Sequence, residues 1–314
     1  MLTNQTLTLA TANLFNFVEP PNAFYQFDNI YDRQQWLDKC RWTEQQLLAL
    51  DADIVGLQEV FSIDAAKTLM AQMGYHYFAT VDTPEVTDEY IFSHPVVAVA
   101  SRYPLKHVQA VPPSSSIYQG YQISPPTFSR QPIFCIVNVP NIGEVGVYVC
   151  HLKSQRATES IDEQSAQPLV GRWLSAQQRG WEALLLRLFM QQQYQQRPMP
   201  TALMGDFNQS LSSDTLAPLI SPIESDDATL ALTDCWELQN PVPTHRPATH
   251  YHFSTGNVLD YILLSQEFQP HSAQSLADVS GVTVLDQHLI NPVYENDKNA
   301  SDHAFVAVTL RFVL

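Results

Sequence analysis

The chain has 314 residues, 32 of them Asp or Glu against 16 Lys or Arg, for a formal net charge of -16. Hydrophobic residues make up 45% and aromatics 11%, enough for a sizeable core, which excludes a disordered or acidic-tail protein. Charged residues are only 15% of the chain, against roughly 25% in an average soluble protein. The shortage is of bases, so a generally basic nucleic-acid coat is excluded as well.

Leu7-Thr8-Leu9-Ala10-Thr11-Ala12 reads as a strand ending at Asn13, followed by an aromatic, Pro-containing loop to Asp32. Asp32 is placed to N-cap a helix through Leu50, with Trp36, Cys40, Leu47 and Leu50 roughly on one face. Asp53 to Leu57 is a short buried strand running into Gln58-Glu59; Ser62 then caps a helix that stops at Gly74, and Tyr75 to Thr80 is the next strand. This βαβαβ opening predicts a mixed sheet with helices outside it. Pro95 to Ala100 is a strand, and Ile133–Val139 with Val145–Val149 forms a hairpin turning at Pro140-Asn141-Ile142-Gly143. Leu169 to Gln193 is the longest helix, with a polar, Gln-rich end at 191–196. Strands follow at Thr201–Met204, Leu259–Leu264 and Ala304–Val313. Segments 111–131, 152–168 and 266–300 read as surface insertions, and without a repeat or a linker the chain is expected to be one domain over 1–314.

The first Lys or Arg is Arg33, so the N-terminus has neither the basic n-region of a secretory signal nor the character of a transit peptide. No window reaches the roughly 18–20 apolar residues of a membrane span. Cys40, Cys135, Cys150 and Cys235 lack CxxC spacing, which leaves zinc-knuckle and thioredoxin readings without support. A Cys135–Cys150 disulfide between neighbouring strands is conceivable, but small buried hydrophobes in a reducing cytosol are the expectation. The location expected is cytoplasmic, with a trimmed export signal as the alternative.

Several strands end in residues able to bind metal or phosphate. Asn13, Glu59 and His151 each follow a strand; Asp206 and Asn208 follow Ala202-Leu203-Met204-Gly205; Asp260 opens a strand; and Ser301-Asp302-His303 precedes the last one. Strand ends at one edge of a sandwich converge, so these residues can form one cluster. Each alone is unremarkable, since Asn13 reads as a turn residue and a lone histidine as structural. Their order and spacing, with a strand leading into each, give the pattern its meaning.

The set Ala12-Asn13, Leu57-Gln58-Glu59-Val60, Ser101-Arg102-Tyr103-Pro104, Cys150-His151-Leu152-Lys153-Ser154, Gly205-Asp206-Phe207-Asn208, Leu259-Asp260-Tyr261 and Ser301-Asp302-His303 resembles the endonuclease/exonuclease/phosphatase superfamily of DNase I-like metal-dependent phosphoesterases. The pieces run in the family's order across nearly the whole chain. The resemblance implies an α+β fold, a four-layer α/β/β/α sandwich of two packed mixed sheets flanked by helices, with the site at one end.

It also implies the roles. Glu59 is the main metal ligand, with Asn13 beside it and Asp302 completing the metal environment. Hard oxygen ligands suit Mg²⁺, with Mn²⁺ or Ca²⁺ as alternatives, and no cysteine is placed among them. Asp206 is the base or aligner of the attacking water, and Asn208 hydrogen-bonds phosphate or that water. His303, paired with Asp260, faces the phosphate oxygens or donates a proton; His151 contacts the phosphate from across the site, with Glu89 as its candidate carboxylate partner. Arg102 either supports the site loop or terminates a strand at the surface. Arg130, Lys153 and Arg156 are solvated bases or phosphate-holding groups at the mouth. His250-Tyr251-His252 puts two imidazoles on one strand face but has no third ligand, so a second metal centre is not expected.

Fold and centre do not fix a substrate. The His151-Leu152-Lys153-Ser154 segment resembles DNase I-like, secreted nuclease and sphingomyelinase branches, whereas abasic-site repair members usually carry an aromatic residue where His151 stands. The leading reading is a Mg²⁺-dependent phosphodiesterase acting on DNA, RNA or a nucleotide. The alternatives are a phosphatase or sphingomyelinase-like enzyme on an inositol phosphate, lipid or other small ester, and a non-catalytic scaffold of the same fold. No protein partner is implied. Residues 102–187 hold 8 bases and 5 acids, so this segment is +3 and the rest -19.

Overall fold

A computed structural model describes residues 4–112, 121, 127–223 and 228–313. Two six-stranded sheets dominate it. The first runs, in spatial order, β16 (Ala277–Leu285), β17 (Phe305–Val313), β1 (Asn4–Phe17), β3 (Ile54–Val60), β7 (Val96–Ser101) and β4 (Tyr77–Ala79). The second runs β12 (Thr233–Asp234), β15 (Asp260–Leu264), β11 (Thr201–Asp206), β10 (Gly143–His151), β9 (Ile133–Val139) and β8 (Leu105–Ala110). Each sheet is mixed: β1 pairs parallel with β3 and β10 parallel with β11, within otherwise antiparallel neighbours. Smaller sheets flank them, β2 (Ala23–Phe24), β6 (Ile91–Ser93) and β5 (Glu85–Thr87) in one, and the hairpin β13 (His250–His252) and β14 (Thr255–Asn257) in the other.

The strands alternate, and each face has its own partner. Leu7, Leu9, Ile54, Val97, Val99, Val306 and Val308 of the first sheet meet Cys135, Val147, Val149, Met204 and Ile262 of the second in one buried cluster. The opposite face of the first sheet, with Ala10, Val55, Leu57 and Ala98, is covered by Trp36, Trp42 and Leu47 of α1 (Arg33–Leu50) and Leu69 of α2 (Ile63–Gln72). The outer face of the second carries Phe134, Tyr148 and Leu203 against Leu186, Phe189 and Met190 of α3 (Pro168–Gln196) and Leu219 of α4 (Ala217–Ile220). The result is the four-layer sandwich. Because β3 is covered on both faces, its apolar run is nearly continuous.

Local signals act largely as the sequence predicts. Asp32 closes a capping box with Gln35, accepting from its N–H at 2.8 Å. Ser62 occupies an N-cap position, but its hydroxyl caps nothing in α2 and accepts the Glu19 N–H at 2.8 Å. The Gln-rich segment is helical to Gln196, and Gln191 is buried against residues 228–230, accepting from the Leu230 N–H at 2.9 Å.

One further expectation is corrected. The 266–300 segment contains a full edge strand, β16, paired with β17, besides the short helices α5 (Gln287–Ile290) and α6 (Tyr294–Asp297). The register shifts between Val279 and Gly281, and this bulge breaks the period-two pattern that would have exposed the strand. Cys135 and Cys150 lie on adjacent strands, but Cys135 pairs with Val147, and all four thiols are free. Most of the 111–131 insertion lies outside the described residues. Among the described residues no helix is long and apolar enough to cross a membrane.

Candidate active site

Strand register brings the predicted residues to one edge. Asn13 pairs with Gln58 across the parallel β1–β3 ladder, which sets Asn13 beside Glu59. In the second sheet Asp206 is opposite both His151 and Asp260. The turn before β17 delivers Asp302 and His303 between the sheets. Ser301 locks that turn: its hydroxyl donates to the Asn13 carbonyl at 2.7 Å and accepts the His303 N–H at 3.0 Å.

The backbone is bent to make this fit. Glu59 and Asn208 have φ of 57° and 55°, a left-handed conformation that is uncommon outside glycine and costs stability. Phe15 and Asn16 are left-handed too, at 50° and 53°, where β1 leaves its regular pairing with β3. That kink turns the Asn16 N–H onto the Glu59 carboxylate at 2.8 Å and the Phe15 N–H onto Asn13 Oδ1 at 2.9 Å. Gly205 is required for a different reason: a Cβ there would lie 1.9 Å from the Cys150 carbonyl oxygen.

Asp206 is the hub. Its Oδ1 accepts the Asn208 N–H at 2.8 Å, and its Oδ2 accepts the amides of Asn13 and Asn208 at 3.2 Å each. The same Oδ2 lies 3.3 Å from His151 Nε2 and 3.8 Å from His303 Nε2. Behind it, His303 Nδ1–H donates to Asp260 Oδ2 at 2.8 Å. Burial raises the Asp206 carboxyl above the ordinary carboxylate range; the charged His303 opposes this and Asp260 adds to it. Burial opposes the cationic form of His303, but Asp260 and Asp206 outweigh it and hold the imidazole pKa well above its ordinary value. His151 goes the other way, neutral because burial and the charges of Arg130 and His303 disfavour its cation.

The oxygen donors fit a hard divalent cation. Glu59 and Asp302 are partly exposed at the site edge, and Asp302 Oδ1 is buried without a hydrogen-bond partner, an oxygen left free for a cation or its water. Asn13 meets the centre through its amide N–H₂, which donates to Glu59 Oε1 at 3.4 Å, while its oxygen is taken up by Phe15. Among the described residues, two sets of ligand atoms lie within 4.8 Å of one another, Asp206–Asp260–His303 and His250–Asp302–His303.

The basic residues divide. Arg130 NH1 donates to the Leu152 carbonyl at 3.3 Å and hydrogen-bonds Tyr25 at the mouth of the site. Lys153 is half-buried near it, with burial and then the Arg130 charge lowering its pKa. Arg102 is not brought to the site. It pairs with Asp51 at 2.6 Å and Asp53 at 3.7 Å. The cause is strand polarity: β7 runs antiparallel to β3, so its end at Ser101 lies opposite Ile54, five residues before Glu59. Glu89 is also elsewhere, exposed between β5 and β6, and His151 Nδ1 is buried with no hydrogen-bond partner among the described residues.

Four contributors escape the sequence reading. His250 packs against His303 in a tilted arrangement, with ring centroids 4.9 Å apart, and lies 3.9 Å from Asp302, supplying the neighbour the His-Tyr-His segment lacked. Glu182, buried on α3, accepts the Ser129 N–H at 2.7 Å and the Lys153 N–H at 2.6 Å, and Arg179 donates to the Lys153 carbonyl at 2.8 Å. These two hold the segments that carry Arg130 and Lys153. The available signal was their i, i+3 spacing on the helix face that also carries Ala183 and Leu186. Lys39 of α1 is 1% exposed, between the rings of Phe15 and Tyr31 at 5.5 and 5.6 Å. Burial lowers its pKa to about 8, with Glu59 and Asp302 pulling the other way.

Residues 35–303 match the Endonuclease/Exonuclease/phosphatase family. No curated protein sequence matches the chain. Among solved structures, the human Nocturnin catalytic domain with bound sulfate anion has a TM-score of 0.62 at 16% identity, covering 99% of this chain and 98% of that one. An endonuclease/exonuclease/phosphatase family protein from Bacteroides thetaiotaomicron has 0.59 at 17%, covering 100% and 98%. D. rerio TDP2 complexed with single strand DNA product has 0.58 at 15%, covering 98% and 99%. At these identities the likeness is one of fold.

Proposed function

The chain belongs to the endonuclease/exonuclease/phosphatase family, and from that premise we propose that it is a metal-dependent phosphodiesterase cleaving a nucleic acid or nucleotide by in-line attack of water. The observation that carries the reading is the Asp206 carboxylate ringed by Asn13, Asn208, His151 and His303, with Asp260 behind His303. A carboxylate made more basic by burial is suited to take a proton from water near neutral pH. Asn208 and Asn13 hold it in one orientation. His303, kept cationic by Asp260, directs its Nε2–H toward phosphate oxygens or a leaving oxygen. His151 is neutral and contributes a hydrogen bond rather than charge. A divalent cation, for which we assign Glu59 and Asp302 as holders and Mg²⁺ as the identity, supplies neutralisation of the phosphate charge.

The shared core between the sheets supports reading 1–314 as one catalytic unit, and four free thiols suit the cytoplasm. A relative in fold, TDP2, is known with a single strand DNA product, which supports nucleic acid as the first substrate to test. Release of product from single-stranded DNA, duplex DNA, RNA or bis(p-nitrophenyl) phosphate with Mg²⁺, abolished by chelator, is the expected result. Release confined to phosphoinositide or sphingomyelin would move the reading to a phosphatase or phospholipase-like enzyme. Release from none of these would overturn it.

A further inference from the structure

His303 and Asn208 line a surface cavity of about 530 Å³ whose wall also holds Arg156, Arg172, His250 and His252. That volume lies within the range of about 300–1,000 Å³ usual for small-molecule sites. Among the described residues no Asp or Glu lines it, although acids outnumber bases 32 to 16 along the chain.

A close local fit delivers the two arginines. Segment 155–158 docks on the first turns of α3, where the Thr158 N–H donates to the Gly171 carbonyl at 3.0 Å and Ser175 Oγ donates to the Arg156 carbonyl at 2.6 Å. A Cβ at position 171 would sit 2.5 Å from the Thr158 carbonyl oxygen, so glycine permits the approach. Arg172 follows that glycine directly. Gln155 Nε2 donates to the Asn208 carbonyl at 2.9 Å, which ties the same segment to the reaction centre. Among the described residues the carboxylate within 4.0 Å of Arg156 is that of Glu159, at 3.8 Å and exposed. Arg172 has no carboxylate within 4.0 Å among the described residues. Two guanidinium groups line this cavity, and their planar donor forks match phosphate.

We propose that the part of this cavity lined by Arg156 and Arg172 is a subsite for a second phosphate of the substrate, beside the phosphate that reacts at His303 and Asn208. The inference rests on the phosphodiesterase reading and narrows it. It selects esters carrying two neighbouring phosphates, from a polynucleotide or from a small bisphosphorylated molecule.

The test compares wild type with the double variant Arg156→Gln, Arg172→Gln on three substrates with Mg²⁺: bis(p-nitrophenyl) phosphate, 5′-phosphorylated dithymidylate and a single-stranded oligonucleotide. KM for the dithymidylate is expected to rise about 100-fold, roughly tenfold for each guanidinium–phosphate pairing removed, with bis(p-nitrophenyl) phosphate changed less than about twofold. A rise on the dithymidylate shows that a small molecule can fill the subsite; a rise confined to the oligonucleotide assigns it to a polymer. No rise on either, or an equal rise on all three, overturns the subsite. Calorimetric binding of the dithymidylate in the Asp206→Asn background separates this from the parent reading. If wild type hydrolyses none of the three yet binding drops with the arginines, the hydrolase reading fails and the anion subsite stands. If hydrolysis proceeds and the arginines are silent, the reverse holds.

Discussion

On the first-sheet side of the reaction centre the carboxylates of Glu59 and Asp302 remain partly exposed, whereas on the second-sheet side Asp206, Asp260 and His151 are 1%, 1% and 3% exposed. The exposed pair can gather a cation together with its waters, as a hard ion that dehydrates reluctantly requires. The buried group is organised by hydrogen bonds and by charges strong enough to move protons, raising Asp206 and His303 and lowering His151. In the proposed mechanism the first sheet supplies the carboxylates for the cation and the second the buried base, with proton handling shared between them. His303, from the first-sheet side, reaches across to Asp260 on the second.

Damage to the second-sheet half should cost most. Asp206→Asn keeps the side-chain shape but removes the proposed base, and kcat is expected to fall by about 10²–10⁴ with the melting temperature little changed. A wild-type rate would place the base elsewhere. On the first-sheet half, Glu59→Gln should weaken Mg²⁺ binding at least about tenfold in calorimetry without substrate, a scale set by losses on disturbing metal surroundings; an unchanged titration refutes its role as principal ligand. Behind that half, Lys39→Met tests the buried ammonium. Its folded pKa of about 8 lies below the ordinary 10.5, so the unfolded chain binds the extra proton between those values. The cost of burying the charge is full below pH 8 and disappears as pH rises to 10.5. Denaturant titration in chelator should show the Met variant more stable at pH 7, by an order of about 3 kcal/mol, and the advantage fading across that window. An advantage that does not change with pH would locate the effect in packing alone. The smallest effect is expected outside both halves: Arg102→Ala should leave kcat/KM within about twofold and cost roughly 1 kcal/mol or less, as a partly exposed ion pair does.

The reaction centre was legible because its residues sit where strands end, and Asn13, Glu59, His151, Asp206, Asp260 and His303 each follow or open an apolar run that forces the strand. What stayed hidden depends on relations between elements. The Ser101-Arg102 segment carries no mark of whether its strand runs with or against β3, and that polarity sends Arg102 to the far edge. His250 gains its place through a bridge to His303 fifty-three positions away. Glu182 reads as a solvated helix residue until the loops that need its two oxygens are seen to end beside it. Most strands and the long helices were readable from periodicity and the layered arrangement followed from the family resemblance, but β16 was missed, since one bulge was enough to scramble its alternation.

Gly205 bears on how such a molecule can change over generations. With position 205 closed to any side chain by the Cys150 carbonyl, the spacing of His151 and Asp206 is set by main chain and offers nothing for gradual mutation to tune. New specificity has to be found in the surrounding loops, such as residues 156–158 and the Phe253-Ser254 tip of the β13–β14 hairpin, which lie beyond the contacts of Gln155 with Asn208 and His250 with His303. A lineage built on this scaffold would diversify its substrates while its chemistry stayed the same.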